Sequence, residues 1–257
     1  MSDRVVVLTG AGGLLGTQYA EGLSQYGANM ELADIDFSRC KELANTLSKK
    51  YDVNPLPIKV DISNKKSVQS MVKKILKKYS KIDVLINNAA YQGNDKIRKT
   101  KFSDLPLSIW NKAISVNLTG MFLCSQEIGK VMEKQKRGVL INISSTYGIV
   151  APDQRIYGNS GQNAAIFYSA TKSAVLNLSR YLASYWQEKG IRVNTLSPGG
   201  VEKGQESEFI KKYSEKTMLG RMAKKDEYVG AILYLASDAS SYMTGSNLIV
   251  DGGWTAW

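Results

Sequence analysis

Tyr168 and Lys172 stand four positions apart in a stretch whose apolar spacing (Phe167, Ala170, Ala174, Val175, Leu178) reads as a helix, so both side chains project from one face. An isolated phenol titrates near ~10 and makes a poor base at neutral pH. A neighbouring ammonium favours the phenolate and brings proton transfer within range. Taken alone, the pair is also compatible with two side chains that merely share a helix face. The chain contains no histidine, which excludes a Ser-His-Asp hydrolase and a histidine-ligated metal centre. Its two cysteines, Cys40 and Cys124, lie far apart without metal-ligand spacing. They read as buried thiols of a protein in the reducing cytoplasm, and no metal site is expected.

A second cluster sits near the start. The run Thr9-Gly10-Ala11-Gly12-Gly13-Leu14-Leu15-Gly16 follows the apolar stretch Val5–Leu8 and leads into a helical pattern (Leu15, Tyr19, Leu23). Glycines there let the backbone turn tightly and approach a pyrophosphate, while the helix N-terminus offers unpaired N–H groups. Asp34 ends the second apolar run, placed to accept hydrogen bonds from a ribose diol. Its carboxylate would repel a 2′-phosphate, the glycine turn holds no Arg or Lys, and Ile35 follows the acid. NAD is therefore favoured over NADP. Asp36 either shares this role or caps the next helix.

These residues need a scaffold, and the remaining pattern supplies one. Apolar, β-branched runs at Val5–Leu8, Met30–Ala33, Pro57–Val60, Val84–Ile86, Val139–Ile143, Ile191–Leu196 and Leu248–Val250 alternate with helical periodicity at Leu15–Tyr26, Arg39–Lys50, Lys65–Tyr79, Ile109–Glu133, Ala164–Lys189 and Glu227–Ala236. Nearly continuous apolar strands between amphipathic helices imply an α/β fold: a doubly wound parallel sheet of about seven strands with helices on both faces. One domain over residues 1–257 is expected, with loop insertions near 91–101, 152–163 and 199–215. The segment Pro152–Asn163 is too polar to be a core element. Loops at strand C-termini frame ligand pockets in such sheets. The formal charge of +11 is carried mostly by lysines dispersed on helices, as in Lys73-Lys74-Ile-Leu-Lys77-Lys78, so neither nucleic acid nor a membrane is expected as partner. No apolar run approaches the ~18 residues a bilayer span requires, and no leader peptide is expected.

Several ordered features, the Thr9–Gly16 turn, Asp61-Ile62, Asn87-Asn88-Ala89-Ala90, Asn117 in Val-Asn-Leu-Thr-Gly, Ser144-Ser145, Tyr168-x-x-x-Lys172, Pro198-Gly199 and Val250-Asp-Gly-Gly253, together resemble the short-chain dehydrogenase/reductase family along nearly the whole chain. The resemblance implies an enzyme that interconverts a secondary alcohol and a ketone with NAD(P). Tyr168 would be the general acid/base and Lys172 would hold the nicotinamide ribose and lower the tyrosine pKa. Ser145 would bind the substrate oxygen, with Ser144 as the alternative, and Asn117 would help hold a proton-relaying water. The cofactor would be bound by Gly10, Gly12, Gly13, Leu14, Leu15, Gly16, Asp34, Asp61, Ile62, Asn88, Ala89, Ala90, Pro198, Gly199 and Val201 together with Tyr168 and Lys172. Family members are typically tetramers, so a homotetramer or homodimer is expected. The long helices carry Met121, Phe122, Leu176, Tyr181, Leu182 and Trp186, suited to an interface or to the core.

The chain departs from the family pattern at Leu14, where a glycine is usual, at Ala90 for glycine and at Lys203 for threonine. Ser145 and Tyr168 also stand 23 positions apart, longer than the usual spacing. The extra residues, about Asp153–Asn163, offer Arg155, Tyr157, Asn159, Gln162 and Asn163, donors suited to a polyhydroxylated anion. Tyr147, Arg155 and Asn163 are thus candidate substrate contacts beside Ser145. Lys96, Arg98, Lys99, Lys101 and Lys203 either add to that field or are simply solvated. A sugar acid, sugar phosphate or sugar nucleotide is the expected substrate. The long loop and the ending Gly-Gly-Trp254-Thr-Ala-Trp257 resemble gluconate 5-dehydrogenase-like and flagellin-glycan (nonulosonate-pathway) dehydrogenases. Reduction of a 3-oxoacyl group or another small ketone is the alternative, and a non-catalytic NAD-binding regulator is the alternative of a different class.

Overall fold

Alternation along the strands decides the architecture. In β1 (Val5–Thr9) Val6 and Leu8 point into one apolar layer, Val5 and Val7 into another, and all four are fully buried. A strand buried on both faces needs cover on both. The computed structural model, which describes residues 1–257, supplies it in chain order: α1 (Leu14–Gln25), β2 (Asn29–Asp34), α2 (Phe37–Lys50), β3 (Leu56–Lys59), α3 (Lys65–Tyr79), β4 (Val84–Asn87), α4 (Asp95–Arg98), α5 (Leu107–Ile114), α6 (Met121–Gln135), β5 (Gly138–Ile143), α7 (Thr146–Ile149), α8 (Ile166–Tyr185), β6 (Ile191–Pro198), α9 (Ser207–Ser214), α10 (Val229–Ala236) and β7 (Asn247–Val250).

The seven strands form one parallel sheet in the order β3-β2-β1-β4-β5-β6-β7. α1, α2 and α10 contribute Leu23, Cys40 and Ile232 to one layer. α3, α6 and α8 contribute Ile75, Ile128 and Leu182 to the other. β1 lies between β2 and β4, so the chain winds outward in both directions from there and leaves a crevice at the strand C-termini. No helix is long and apolar enough to cross a membrane.

The expected segment Ile109–Glu133 is helical but not uniform. Between α5 and α6, Ser115–Gly120 forms a π-turn, a widening often found at functional sites. Of the apolar residues on the long helices, Leu182 and Trp186 belong to the core, while Phe122, Tyr181 and Tyr185 remain exposed. Pro152–Asn163 departs from expectation: Ile156 is 2% exposed and packs with Tyr213, Met222 and Trp254 in a small cluster of its own. One apolar side chain thus anchors a segment that is otherwise polar.

One core position conflicts with its surroundings. Glu31 on β2, between Val7 and Leu56, is fully buried. Burial pushes its carboxyl up to about 8, against the opposing pull of Lys78 and Tyr79. The folded state therefore keeps a proton that the unfolded chain releases near the ordinary 4.5. Stability accordingly falls as pH rises from that value towards 8. Glu31→Gln is expected to flatten this slope and to raise stability at pH 8 by about 1–3 kcal/mol. Urea unfolding at pH 6 and pH 8 checks it; an unchanged slope would refute the assignment.

Candidate active site

The glycine turn and β4 are stitched together at the crevice. The Thr9 hydroxyl accepts from the Asn88 and Ala89 N–H groups at 3.1 and 3.2 Å. The Asn88 amide donates to the carbonyls of Thr9 and Gly10 at 3.1 and 3.0 Å. Gly10 has φ +67°, and a Cβ there would lie 2.7 Å from the Ala89 Cα, so only glycine fits. A Cβ on Gly16 would collide with the Gly10 carbonyl, which explains the last glycine of the turn. Leu14 costs nothing: it is the first residue of α1, outside the left-handed region and exposed. α1 has no side-chain cap and no acidic residue in its first turn. Its free N–H groups beside Gly12, Gly13 and Leu15 on the cleft suit a pyrophosphate.

The next strand ends supply polar anchors. Asp34 accepts from the Gly12 N–H through Oδ2 and from the Asp36 N–H through Oδ1, both at 3.0 Å. Asp36 is the cap of α2, taking the Arg39 N–H at 3.2 Å. Asp61 turns Oδ1 to the Ser63 N–H and hydroxyl at 2.9 and 2.6 Å. Ile62 is buried and backs onto Gly120. Ala89, Ala90, Pro198, Gly199 and Val201 continue the wall. All of these line one cleft of about 1150 Å³ that also contains Ser145, Tyr168 and Lys172. The residues present fit a dinucleotide: a helix N-terminus without a side-chain cap at the middle and a carboxylate at the far end.

At the other end, consecutive residues after β5 point in opposite directions. The Ser144 hydroxyl is fully buried and donates to the Lys172 carbonyl at 2.7 Å. The Ser145 hydroxyl faces the cleft and the Tyr168 phenol, and it accepts from the Tyr147 N–H at 3.2 Å. The geometry thus favours Ser145 over Ser144. The Lys172 Nζ lies 5.7 Å from the Tyr168 ring centre and donates to the Ile143 carbonyl at 2.6 Å. Burial lowers its pKa to about 8. Burial raises the Tyr168 phenol, with the Ser145 hydroxyl and the Arg98 guanidinium pulling it back down. Arg98 is thus a second cation acting on the phenol, alongside a lysine whose ammonium is anchored on a strand carbonyl 5.7 Å from the ring centre.

Asn117, in the π-turn, is 2% exposed. Its amide accepts from the Tyr91 N–H at 2.6 Å and donates to the Tyr91 carbonyl at 3.0 Å and the Thr171 hydroxyl at 3.2 Å. The side chain is thus occupied in tying the loop after β4 to α8.

The candidate substrate contacts divide. Tyr147 borders the cleft, its ring 6.3 Å from Trp254. Asn163 also borders it, but its amide is committed to the Thr100 carbonyl at 2.9 Å. Arg155 is a correction. Its side chain is 84% exposed, forms a two-pronged ion pair with Asp153 at 2.8 Å, and does not line the cleft. Asp153 is adjacent in the turn and captures it. Of the basic residues expected near the substrate, Lys96, Lys99 and Lys101 are off the cleft, whereas Arg98, and Lys203 from the 199–215 segment, border it. α9 adds Phe209 and Tyr213 to the wall, residues whose i, i+4 spacing was legible in the 199–215 segment but not assigned to the site.

A family model described as enoyl-(acyl carrier protein) reductase matches residues 10–255. The chain is 30% identical over 254 residues to the post-translational flagellin modification protein A of Campylobacter coli, covering 99% of both. It is 34% identical to the NAD-dependent glycerol dehydrogenase of Listeria innocua serovar 6a, covering 99% of this chain and 95% of that one. A gluconate 5-dehydrogenase structure from Burkholderia cenocepacia J2315, in complex with NADP and tartrate, matches with a TM-score of 0.88 at 27% identity, over 100% of this chain and 97% of that one. With the glycine turn, the serine, and the tyrosine–lysine pair gathered at one crevice, the chain belongs to the short-chain dehydrogenase/reductase family, NAD(P)-using oxidoreductases that act on alcohol and ketone groups.

Proposed function

We propose that this protein is an NAD-preferring dehydrogenase that interconverts a secondary alcohol and a ketone on a polar, negatively charged carbohydrate. The observation that carries the reading is the single cleft with Asp34 at one end and Ser145, Tyr168 and Lys172 at the other. NAD, when bound, supplies the hydride acceptor or donor. The chain does the rest. The Asp34 carboxylate and the open start of α1 hold the adenosine ribose and the phosphates. Lys172, with one proton engaged by Ile143, keeps donors free on its ammonium, and these hold the nicotinamide-side ribose.

Ser145 donates to the substrate oxygen and fixes it beside Tyr168. During oxidation the Tyr168 phenolate takes the hydroxyl proton, and during reduction the phenol returns it. Cys40 and Cys124 are buried free thiols, a state that suits a reducing compartment such as the cytoplasm.

The reading is tested by following NAD reduction against sugar acids, sugar phosphates, neutral polyols, neutral steroids and acyl thioesters. An anionic carbohydrate is expected to give the highest kcat/KM. Faster turnover of a steroid or an acyl thioester would sink the substrate class, and NADP serving better than NAD would sink the cofactor preference.

A further inference from the structure

Two cations that border the cleft near Tyr168, Arg98 and Lys203, make no ion pair with any carboxylate of the chain. Of the eight arginines, five meet a carboxylate at 2.6–3.6 Å. Arg192 donates to main-chain carbonyls, and Arg180 is exposed on α8. Arg98 differs from all of them. It is partly buried, borders the cleft beside Tyr157 and Tyr168, and its guanidinium makes no hydrogen bond or ion pair. Lys203, which borders the same cleft, has no hydrogen bond or ion pair for its ammonium either. The two are close enough that Arg98 helps to hold Lys203 below the usual lysine range, after burial, with Asp95 opposing. The glutamates that border the same cleft make no ion pair with them: Glu208 is paired with Lys212 at 2.7 Å, and Glu206 pairs with neither.

Two like charges kept together without a counter-ion raise the energy of the empty site, and an arriving anion recovers that energy. Arg98 is also held in place deliberately. Its main-chain carbonyl accepts the Asn163 N–H at 2.8 Å, and the Asn163 amide reaches the Thr100 carbonyl at 2.9 Å. The insertion before Tyr168 thus clasps the loop that carries Arg98.

We propose that Arg98 and Lys203 form a seat for an oxyanion of the substrate, carboxylate or phosphate, with Asn163 as the positioning residue that keeps Arg98 in the cleft. The planar guanidinium takes two oxygens at once, and the ammonium adds a point charge. Because Arg98 is near enough to act on the Tyr168 phenol, the seated group and the reacting carbon belong to one small molecule such as a sugar acid or sugar phosphate. This rests on the alcohol-oxidation reading above.

Calorimetric titration of the NAD-loaded protein with gluconate, glucitol 6-phosphate and glucitol tests the seat. At least one anion is expected to bind about 10-fold or more tightly than glucitol, and the tighter of the two tells carboxylate from phosphate. Arg98→Gln is expected to bring that anion to within about twofold of glucitol while glucitol and NAD bind as before. Lys203→Met, at a residue whose side chain makes no hydrogen bond or ion pair within the chain, is expected to act in the same direction. Equal binding of all three compounds, no binding of either anion, or variants that keep the preference would each overturn the proposal. An anion preference in a protein that oxidises no alcohol would refute the dehydrogenase reading and leave the seat standing; alcohol oxidation without an anion preference would do the reverse.

Discussion

Tyr168→Phe is expected to reduce turnover by at least ~10³-fold while NAD affinity stays within a factor of about two of the parent protein. The substitution removes one hydroxyl and keeps the ring, so α8 and its packing survive. That hydroxyl faces Ser145, which has no proton-accepting function of its own, and no histidine is present to substitute. The proposed cofactor contacts lie mainly elsewhere, on the glycine turn, Asp34 and Lys172. A second signature accompanies the loss. Because burial raises the Tyr168 phenol, alcohol oxidation in the parent protein should climb with pH as the phenolate forms, and reduction should fall. The variant's residual activity should lack that dependence. Rate measurements across pH with a cofactor titration check both; turnover that survives the change would remove Tyr168 from the acid/base role.

The second large effect belongs to Asp34. Asp34→Ser should raise the ratio of NADP to NAD kcat/KM by about 100-fold. The carboxylate spends one oxygen on Gly12 and the other on Asp36, so it stands against the turn where a 2′-phosphate would come. Arg39 borders the same end of the cleft, its Cβ 2.8 Å from where a Gly12 Cβ would be. Its ion pair with Asp36 is loose at 3.4 Å and exposed, so little holds it from a phosphate once the Asp34 charge is gone. An unchanged ratio would show that another group sets the preference.

The scaffold was legible to within a few residues because its signals are local. Each strand is a run of apolar β-branched residues, each long helix repeats at 3.6, and neither depends on distant partners. What was missed is short or irregular: one-turn α4 and α7, α9, and the π-turn at Asn117. A single turn has too few positions to show a period. A buried glutamate such as Glu31 was hidden for a related reason, since period-2 alternation says that a residue faces inward without saying how deep it lies.

The site shows the same division. The sequence by itself determined the chemistry available: a tyrosine and a lysine one helical turn apart, a serine pair after the fifth strand, a glycine turn with an acid one strand later, and no histidine. Those are matters of residue type and near-neighbour spacing. Only the tertiary structure decided which groups face the cleft. Ser144 and Ser145 are adjacent, yet one bonds the Lys172 carbonyl and the other meets Tyr168. Arg155 and Arg98 are both guanidiniums on short turns between the main elements, yet Asp153 captures the first and the second borders the cleft without an ion pair. The main chain at Arg98 is held by a clasp between segments more than sixty residues apart. A hydrogen bond between distant loops leaves no periodic trace in the chain, because its partners are brought together only when the sheet has formed.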